Sequence, residues 1–266
     1  MKNILLVRTD RIGDVVLSLP CAALIKQKIP GARVTFLARE YTAPLARMSP
    51  DVDEVLSDDA AERANVLAGK LRRSRFNAAV LLHPKARLAL ALWLSGIPVR
   101  VGTAYRWYSI LLNRRIRQHR KYSLKHELEH NLDLVSKGLG LGGTTACGQR
   151  SVNAPKIVIP DELKIKALSK LHHSALGIQH SHVPSEVEGY VVIHPGSGGS
   201  AMNWPLERFA EMIDRIQNTE YGIPDTRVVV TLGPGEEPIK EKLKRSLKTE
   251  PIWVSGLTLP ELAGLL

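Results

Sequence analysis

Short apolar runs alternate with helical segments along this chain, and twice such a run ends in a Gly-containing turn that opens a helix. The first is Ile4-Leu5-Leu6-Val7, followed by Asp10-Arg11-Ile12-Gly13-Asp14 and an apolar helical stretch from Val15. The second is Val191-Val192-Ile193, a Gly- and Ser-rich turn over 195–200, and a helix start at Trp204-Pro205. Strand, turn and helix in this order present bare backbone N–H groups to an anion such as phosphate. Two such openings far apart predict two nucleotide-fold domains, with the working site in the cleft between them.

The remaining pattern fills in both domains. Strands are expected over 3–7, 34–38, 54–56, 78–82 and 100–102, and helices over 15–28, 41–48, 60–74, 85–95 and 126–138. Strands separated by helices imply right-handed crossovers and a parallel sheet, so the fold class is α/β. The boundaries read as a first domain over 1–160, a linker over 161–188 and a second domain over 189–266. Residues 161–176 have a helical pattern, and the His-rich stretch that follows (His172, His173, His180, His182) is polar. Those four His fall on no ligand-spaced face, so no metal is expected. Alternation restarts with strands over 190–194, 227–232 and 252–254 and helices over 205–217, 236–247 and 259–266. Three strands are fewer than the roughly six of a nucleotide-binding sheet, so the second domain is expected to be incomplete in this sequence.

Composition bounds the setting. Cys21 and Cys147 are the two cysteines of 266 residues, which argues against a disulfide framework and for a reducing compartment. No apolar run approaches membrane-spanning length, and Arg8, Asp10, Arg11 and Asp14 interrupt the N-terminal run too early for a signal peptide. A cytoplasmic protein is expected. The net charge of +11 is unevenly placed: residues 63–126 hold 15 Lys and Arg and no Asp or Glu, leaving 22 basic against 26 acidic residues elsewhere. Such a segment is either a solvated basic face or the contact for an anionic partner. Without zinc spacing, an RNP motif or an aromatic stacking array, nucleic acid is not expected.

Several residues have the chemistry of a site. Asp14, after Gly13, is either a helix N-cap or a carboxylate at the carboxyl edge of a parallel sheet, poised as a general base. Ser197-Gly198-Gly199-Ser200, after His194-Pro195, is either an ordinary loop or a diphosphate cradle, and it fits neither the P-loop nor the GxGxxG pattern. Trp204 is expected to pack beneath that loop, with Pro205 in the first helical turn. Glu236, after Leu232-Gly233-Pro234-Gly235, either caps a helix or holds a ribose hydroxyl.

Taken together these blocks resemble a known family. Arg11-Ile12-Gly13-Asp14-Val15-Val16-Leu17-Ser18-Leu19-Pro20, Leu82-His83-Pro84 and Gly96-Ile97-Pro98-Val99-Arg100-Val101-Gly102 carry the resemblance in the first half. His126-Glu127-Leu128-Glu129-His130-Asn131-Leu132, His194-Pro195-Gly196-Ser197, Trp204-Pro205 with Arg208-Phe209, and Ser255-Gly256-Leu257-Thr258-Leu259-Pro260-Glu261-Leu262 continue it in order. The chain is similar to glycosyltransferase family 9, the ADP-heptose:lipopolysaccharide heptosyltransferases.

That resemblance implies a GT-B architecture of two Rossmann-like domains with parallel sheets, the acceptor on the first and the nucleotide sugar mainly on the second. It implies inverting transfer of heptose from ADP-heptose or a similar ADP-sugar to the lipopolysaccharide inner core, with no cofactor and no metal. Asp14 matches the family's proposed general base. Donor binding falls to Ser197, Gly198, Gly199, Ser200, Met202 and Glu236, and acceptor binding to Arg11, Arg100 and Arg106. An anionic core acceptor at the inner leaflet implies a cytoplasmic protein in peripheral contact with the inner membrane. Two departures stand out. Met202 occupies the place of a Lys that meets the donor phosphates, so a charge-assisted contact is lost. The family also continues past the helix at Leu262 into an Asp-x-Gly-Pro-x-His type motif. The alternative is therefore a catalytically degenerate homologue that binds anionic glycolipid or glycan through its basic N-terminal domain.

Overall fold

Ile4, Leu5, Leu6 and Val7 are wholly buried on β1 (Asn3–Val7), which identifies it as the centre of a sheet covered on both faces. The computed structural model describes residues 2–118, 125–142, 154–175, 190–197, 203–218 and 227–266. Its chain divides into two units, Met1–Val158 and Ile159–Leu266.

The first unit holds β1, β2 (Arg33–Arg39), β3 (Glu54–Asp58), β4 (Ala78–Leu81), β5 (Val99–Thr103) and β6 (Arg114–Ile116). All pair in parallel, in the order β3-β2-β1-β4-β5-β6. Alternate residues of β1 serve opposite faces. Ile4 and Leu6 pack with Leu24 and Ile25 of α2 (Pro20–Lys28) and with Leu134 and Val135 of α6 (Glu127–Leu139). Leu5 and Val7 pack with Leu67 and Leu71 of α4 (Ala64–Arg73) and with Leu88 and Leu92 of α5 (Ala86–Leu94). α3 (Ala43–Arg47) lies on the α2 face through Ala43 and Ala46.

Two details depart from the expected elements. The single helix over 15–28 is two, α1 (Ile12–Val16) and α2, because Pro20 has no N–H to extend a helical ladder and instead takes the first position of α2. The edge strand β6 and a 3₁₀ turn, Trp107–Leu111, were not expected.

In the second unit β7 (Tyr190–Ile193), β8 (Arg227–Leu232) and β9 (Ile252–Ser255) form a parallel sheet in that order. One face packs on α7 (Asp161–Ala175) and α10 (Leu259–Leu265) through Ala167, Leu171, Val229, Val254 and Leu265. The other packs on α8 (Leu206–Gln217) through Ile213, with Val228 and Val230. α9 (Glu237–Ser246) follows β8. The expected linker over 161–188 is therefore corrected in its first half: α7 buries an apolar stripe in the core of the second unit. Residues 176–188 lie outside the described residues, as does Cys147.

Candidate active site

Arg8 follows the last residue of β1, and its side chain is 4% exposed. Its guanidinium meets three carboxylates: Nε to Asp10 Oδ1 at 2.7 Å, Nη2 to Asp14 Oδ1 at 2.7 Å and Nη1 to Glu127 Oε1 at 3.1 Å. Nη1 also donates to the Asn131 Oδ1 and to the Leu82 carbonyl, each at 3.4 Å. Asn131 Nδ2 in turn donates to Ser18 Oγ at 3.2 Å, and that hydroxyl donates to the Asp14 carbonyl at 2.7 Å. Burial opposes the charge on Arg8, but Asp10 and Asp14 outweigh it and its pKa rises. Burial also holds Asp10 above the ordinary carboxylate range, against the pull of Arg8.

These groups occupy a particular place in the topology. The strand order reverses direction about β1 and β4, and the helices that follow them, α2 and α5, pack on opposite faces. Open parallel sheets bind ligands outside the carboxyl ends of the strands at such a switch point. Arg8, Asp10 and Asp14 follow β1, and His83 follows β4. Burial pushes the His83 pKa down to about 4, with Lys85 and Arg8 adding to it. A neutral imidazole therefore faces Thr9, whose hydroxyl lies 3.3 Å from Nδ1. Tyr41 Oη donates to the Asp10 carbonyl at 2.8 Å, and Arg39 Nε to the Thr9 carbonyl at 2.8 Å, which ties the loop after β2 to the same corner.

Asp14 is the third residue of α1, not its N-cap; that position is held by Arg11, in extended conformation and without a side-chain bond to the helix. The capping reading of Asp14 is thus corrected. One carboxylate oxygen is anchored by Arg8 while the side chain stays 34% exposed. A fixed, solvent-facing carboxylate of this kind can accept a proton from a bound hydroxyl.

The other expected acceptor residues do not share one environment. Arg11 is exposed at the N-cap of α1, three residues before Asp14, and Arg106 is exposed at the start of the 3₁₀ turn. Arg100 is half-buried and donates to the Ile97 carbonyl at 2.5 Å and the Leu111 carbonyl at 2.9 Å. These two bonds clamp a loop. Arg87 and Arg114 are likewise engaged, with Asp58 and the Gly138 carbonyl respectively. Arg120 and Lys121, part of the same basic segment, lie outside the described residues.

In the second unit, Glu236 occupies the N-cap of α9 but makes no side-chain capping bond. Its Oε2 accepts from Gly233 N–H at 2.7 Å and lies 3.6 Å from His194 Nε2. A Cβ at Gly196 would overlap this carboxylate, so the loops after β7 and β8 approach closely only because Gly196 is there. His194 Nδ1 lies 3.0 Å from the Thr231 carbonyl. Ser197 ends the described part of this loop; Gly198, Gly199, Ser200 and Met202 lie outside the described residues. Beyond them Trp204 is half-exposed and stacks edge-on against Phe209 at 5.2 Å, and Pro205 holds the N-cap of α8 rather than its first turn. Among the described residues no cluster has the makeup of a metal site.

Sequence reasoning singled out Asp14 but not the groups that the fold brings to it. The missed signal is Arg8 itself: a charge directly after four apolar strand residues sits at the carboxyl edge of the sheet and must find anions there.

Comparisons with known proteins give the family and the fold. The model of glycosyltransferase family 9 (heptosyltransferase) matches residues 65–266. A Haemophilus influenzae protein assigned by name to the glycosyltransferases is 30% identical over 239 residues, covering 89% of this chain and 65% of its own length. Lipopolysaccharide heptosyltransferase 3 of Escherichia coli is 25% identical, over 96% of this chain and 71% of its own. The chain thus spans about two thirds of the length of these relatives. Among solved structures, a glycosyltransferase family 9 protein from Veillonella parvula superposes with a TM-score of 0.80 at 21% identity, over 99% of this chain and 72% of its own. The ADP-heptose lipopolysaccharide heptosyltransferase II of Escherichia coli does so with 0.76 at 20% identity, over 100% of this chain and 76% of its own. The fold shared with these structures is the GT-B type.

Proposed function

The chain belongs to glycosyltransferase family 9, and from that premise we propose that it serves inverting transfer of a heptose from an ADP-sugar to the inner core of lipopolysaccharide. The observation that carries this reading is the Arg8–Asp14 pair, which presents a fixed and partly exposed carboxylate at the switch point of the first sheet.

In this mechanism the acceptor hydroxyl gives its proton to the unanchored oxygen of Asp14. Its oxygen forms a bond to the anomeric carbon while the bond to the ADP oxygen breaks, and ADP leaves with the electron pair. General-base help of this kind is worth roughly 10²–10⁴-fold. Arg8 positions Asp14, and neutral His83 beside it can hold a sugar hydroxyl without adding charge. The diphosphate would meet backbone N–H groups over 197–200 and the opening of α8. No step calls on a metal or a cofactor. The nucleotide end of the donor would lie near Gly196 and Glu236, and nucleic acid has no part in the reading. Of the expected acceptor contacts, Arg11 is kept because it is exposed three residues before Asp14, at the N-cap of the same short helix, and Arg106 because it is exposed in the basic segment. A lipid-anchored acceptor places the protein in the cytoplasm, peripheral to the inner membrane. Among the described residues no helix is long and apolar enough to cross a membrane.

Met202, where the family's pattern has Lys, favours the second reading of a homologue that binds anionic glycolipid without transferring sugar. Mass spectrometry of defined core acceptors after incubation with ADP-heptose decides between them. An added heptose supports transfer, and acceptor binding with no mass change supports the binding module.

A further inference from the structure

The 3₁₀ turn Trp107–Leu111 buries Tyr108 and, just past it, Leu112 against Leu88 and Leu92 of α5. A 3₁₀ helix has three residues per turn, so positions three apart share a face. Trp107 and Ile110 are such a pair, and they stand 79% and 74% exposed. On α5, which packs beside this turn, Leu90 and Trp93 are exposed three residues apart and also share a face. Large apolar side chains displayed in this way mark an interaction site rather than scattered surface. Their surroundings are basic: Arg106 precedes Trp107, Arg115 and Arg117 are exposed on and after the edge strand β6, and residues 63–126 contain no Asp or Glu. Arg87, Arg100 and Arg114 are engaged within the fold, whereas Arg106, Arg115 and Arg117 are exposed next to this turn and strand in the chain.

We propose that Trp107 and Ile110 form an apolar wedge that enters the interface of an anionic phospholipid bilayer, with Arg106, Arg115 and Arg117 meeting the headgroups. Trp suits this boundary because its ring is apolar while its N–H stays wet. One signal alone gives weak attachment, and an apolar anchor combined with a basic patch gives stable attachment. The wedge deepens the reading of a lipid-anchored acceptor: it rests on that reading for its purpose but not for its chemistry.

The test uses vesicles of phosphatidylglycerol and phosphatidylethanolamine, free of glycan and nucleotide sugar, with brominated lipids as the quencher of tryptophan fluorescence. The wild type is expected to bind, with quenching of its fluorescence and with binding that weakens as salt rises. Trp107→Ser with Ile110→Ser is expected to reduce partitioning by about tenfold or more and to remove the quenched fraction. Reversing Arg106, Arg115 and Arg117 to Glu is expected to reduce it by more than about tenfold. Unchanged binding by the double-serine variant, absence of binding to anionic vesicles, or a dimer that hides Trp107 would overturn the proposal. Transfer to a soluble acceptor is read separately. Failure to bind vesicles with transfer intact defeats the wedge alone, while vesicle binding without transfer supports the wedge and counts against the enzyme.

Discussion

Three carboxylates of the first unit, those of Asp10, Asp14 and Glu127, converge on one buried guanidinium, whereas three of the second unit each take backbone N–H groups. Asp214 accepts from Lys248 and Thr249 N–H, Glu236 from Gly233 N–H, and Glu261 from Thr258 N–H in the capping box of α10. Folding accounts for the hydrogen bonds of the second kind, since buried or turning backbone needs acceptors. It does not account for the first kind. Three negative charges around one cation leave an excess that a purely structural site would avoid, because removing charge from water costs more than a single pair returns. Such clusters at a sheet edge point to chemistry.

That contrast can be broken most forcefully at Arg8. Arg8→Met strands three carboxylates and should destabilise the first unit by about 3–5 kcal/mol, the cost of breaking a buried ion pair from one side. Hydrogen exchange resolved along the chain should show the loss over residues 2–118 and none in β7, β8 and β9. A loss shared by both units would mean that the cluster supports more than its own sheet. In the second unit Glu261→Ala removes the acceptor of Lys170 and of the Thr258 N–H and hydroxyl and should cost about 1–3 kcal/mol, and hydrogen exchange should confine it to α7, α10 and β9.

Acid separates the units further. Desolvation holds His83 near 4 in the folded chain against 6.5 when unfolded. Its contribution is complete above pH 6.5 and declines as pH falls through 4, because the unfolded chain takes up the proton first. Asp10, raised by burial, works in the opposite sense and offsets part of the loss at the acid end. Glu261 is held near 2 by Lys170 and by Thr258 N–H, against 4.5 unfolded. Its contribution is complete above pH 4.5 and is lost progressively as pH falls from there through 2. Urea midpoints followed from pH 7 to 4 should therefore fall first for the first unit, and His83→Asn should flatten that slope. Parallel acid loss in the two units would contradict these environments.

The strands were legible because runs such as Leu5-Leu6-Val7 and Val228-Val229-Val230 are apolar, partly β-branched and short. β6 was not: Arg114-Arg115-Ile116 is an exposed edge strand, where charge guards an unpaired rim and no alternation survives. Asp14 was legible from Gly13-Asp14 after a strand. Its anchoring was not, because Arg8 and Glu127 stand 119 residues apart and meet only in the folded sheet. The structural engagement of Arg100 was hidden for a related reason. Charge is visible in sequence, but a guanidinium engaged with the carbonyls of Ile97 and Leu111 looks the same there as one facing solvent. Glu236 was read as a cap or a ribose contact, and its place against Gly196 depends on two loops that sequence does not bring together.

The central claim is that Asp14 is a reacting group held in place by Arg8, and Asp14→Asn tests it most directly. Asn keeps the size and the hydrogen-bonding oxygen, so fold and ADP-sugar binding should be retained. Transfer of heptose to a defined core acceptor, followed by mass spectrometry, should fall by roughly 10²–10⁴-fold. Turnover at the wild-type rate in the Asn variant would contradict the account.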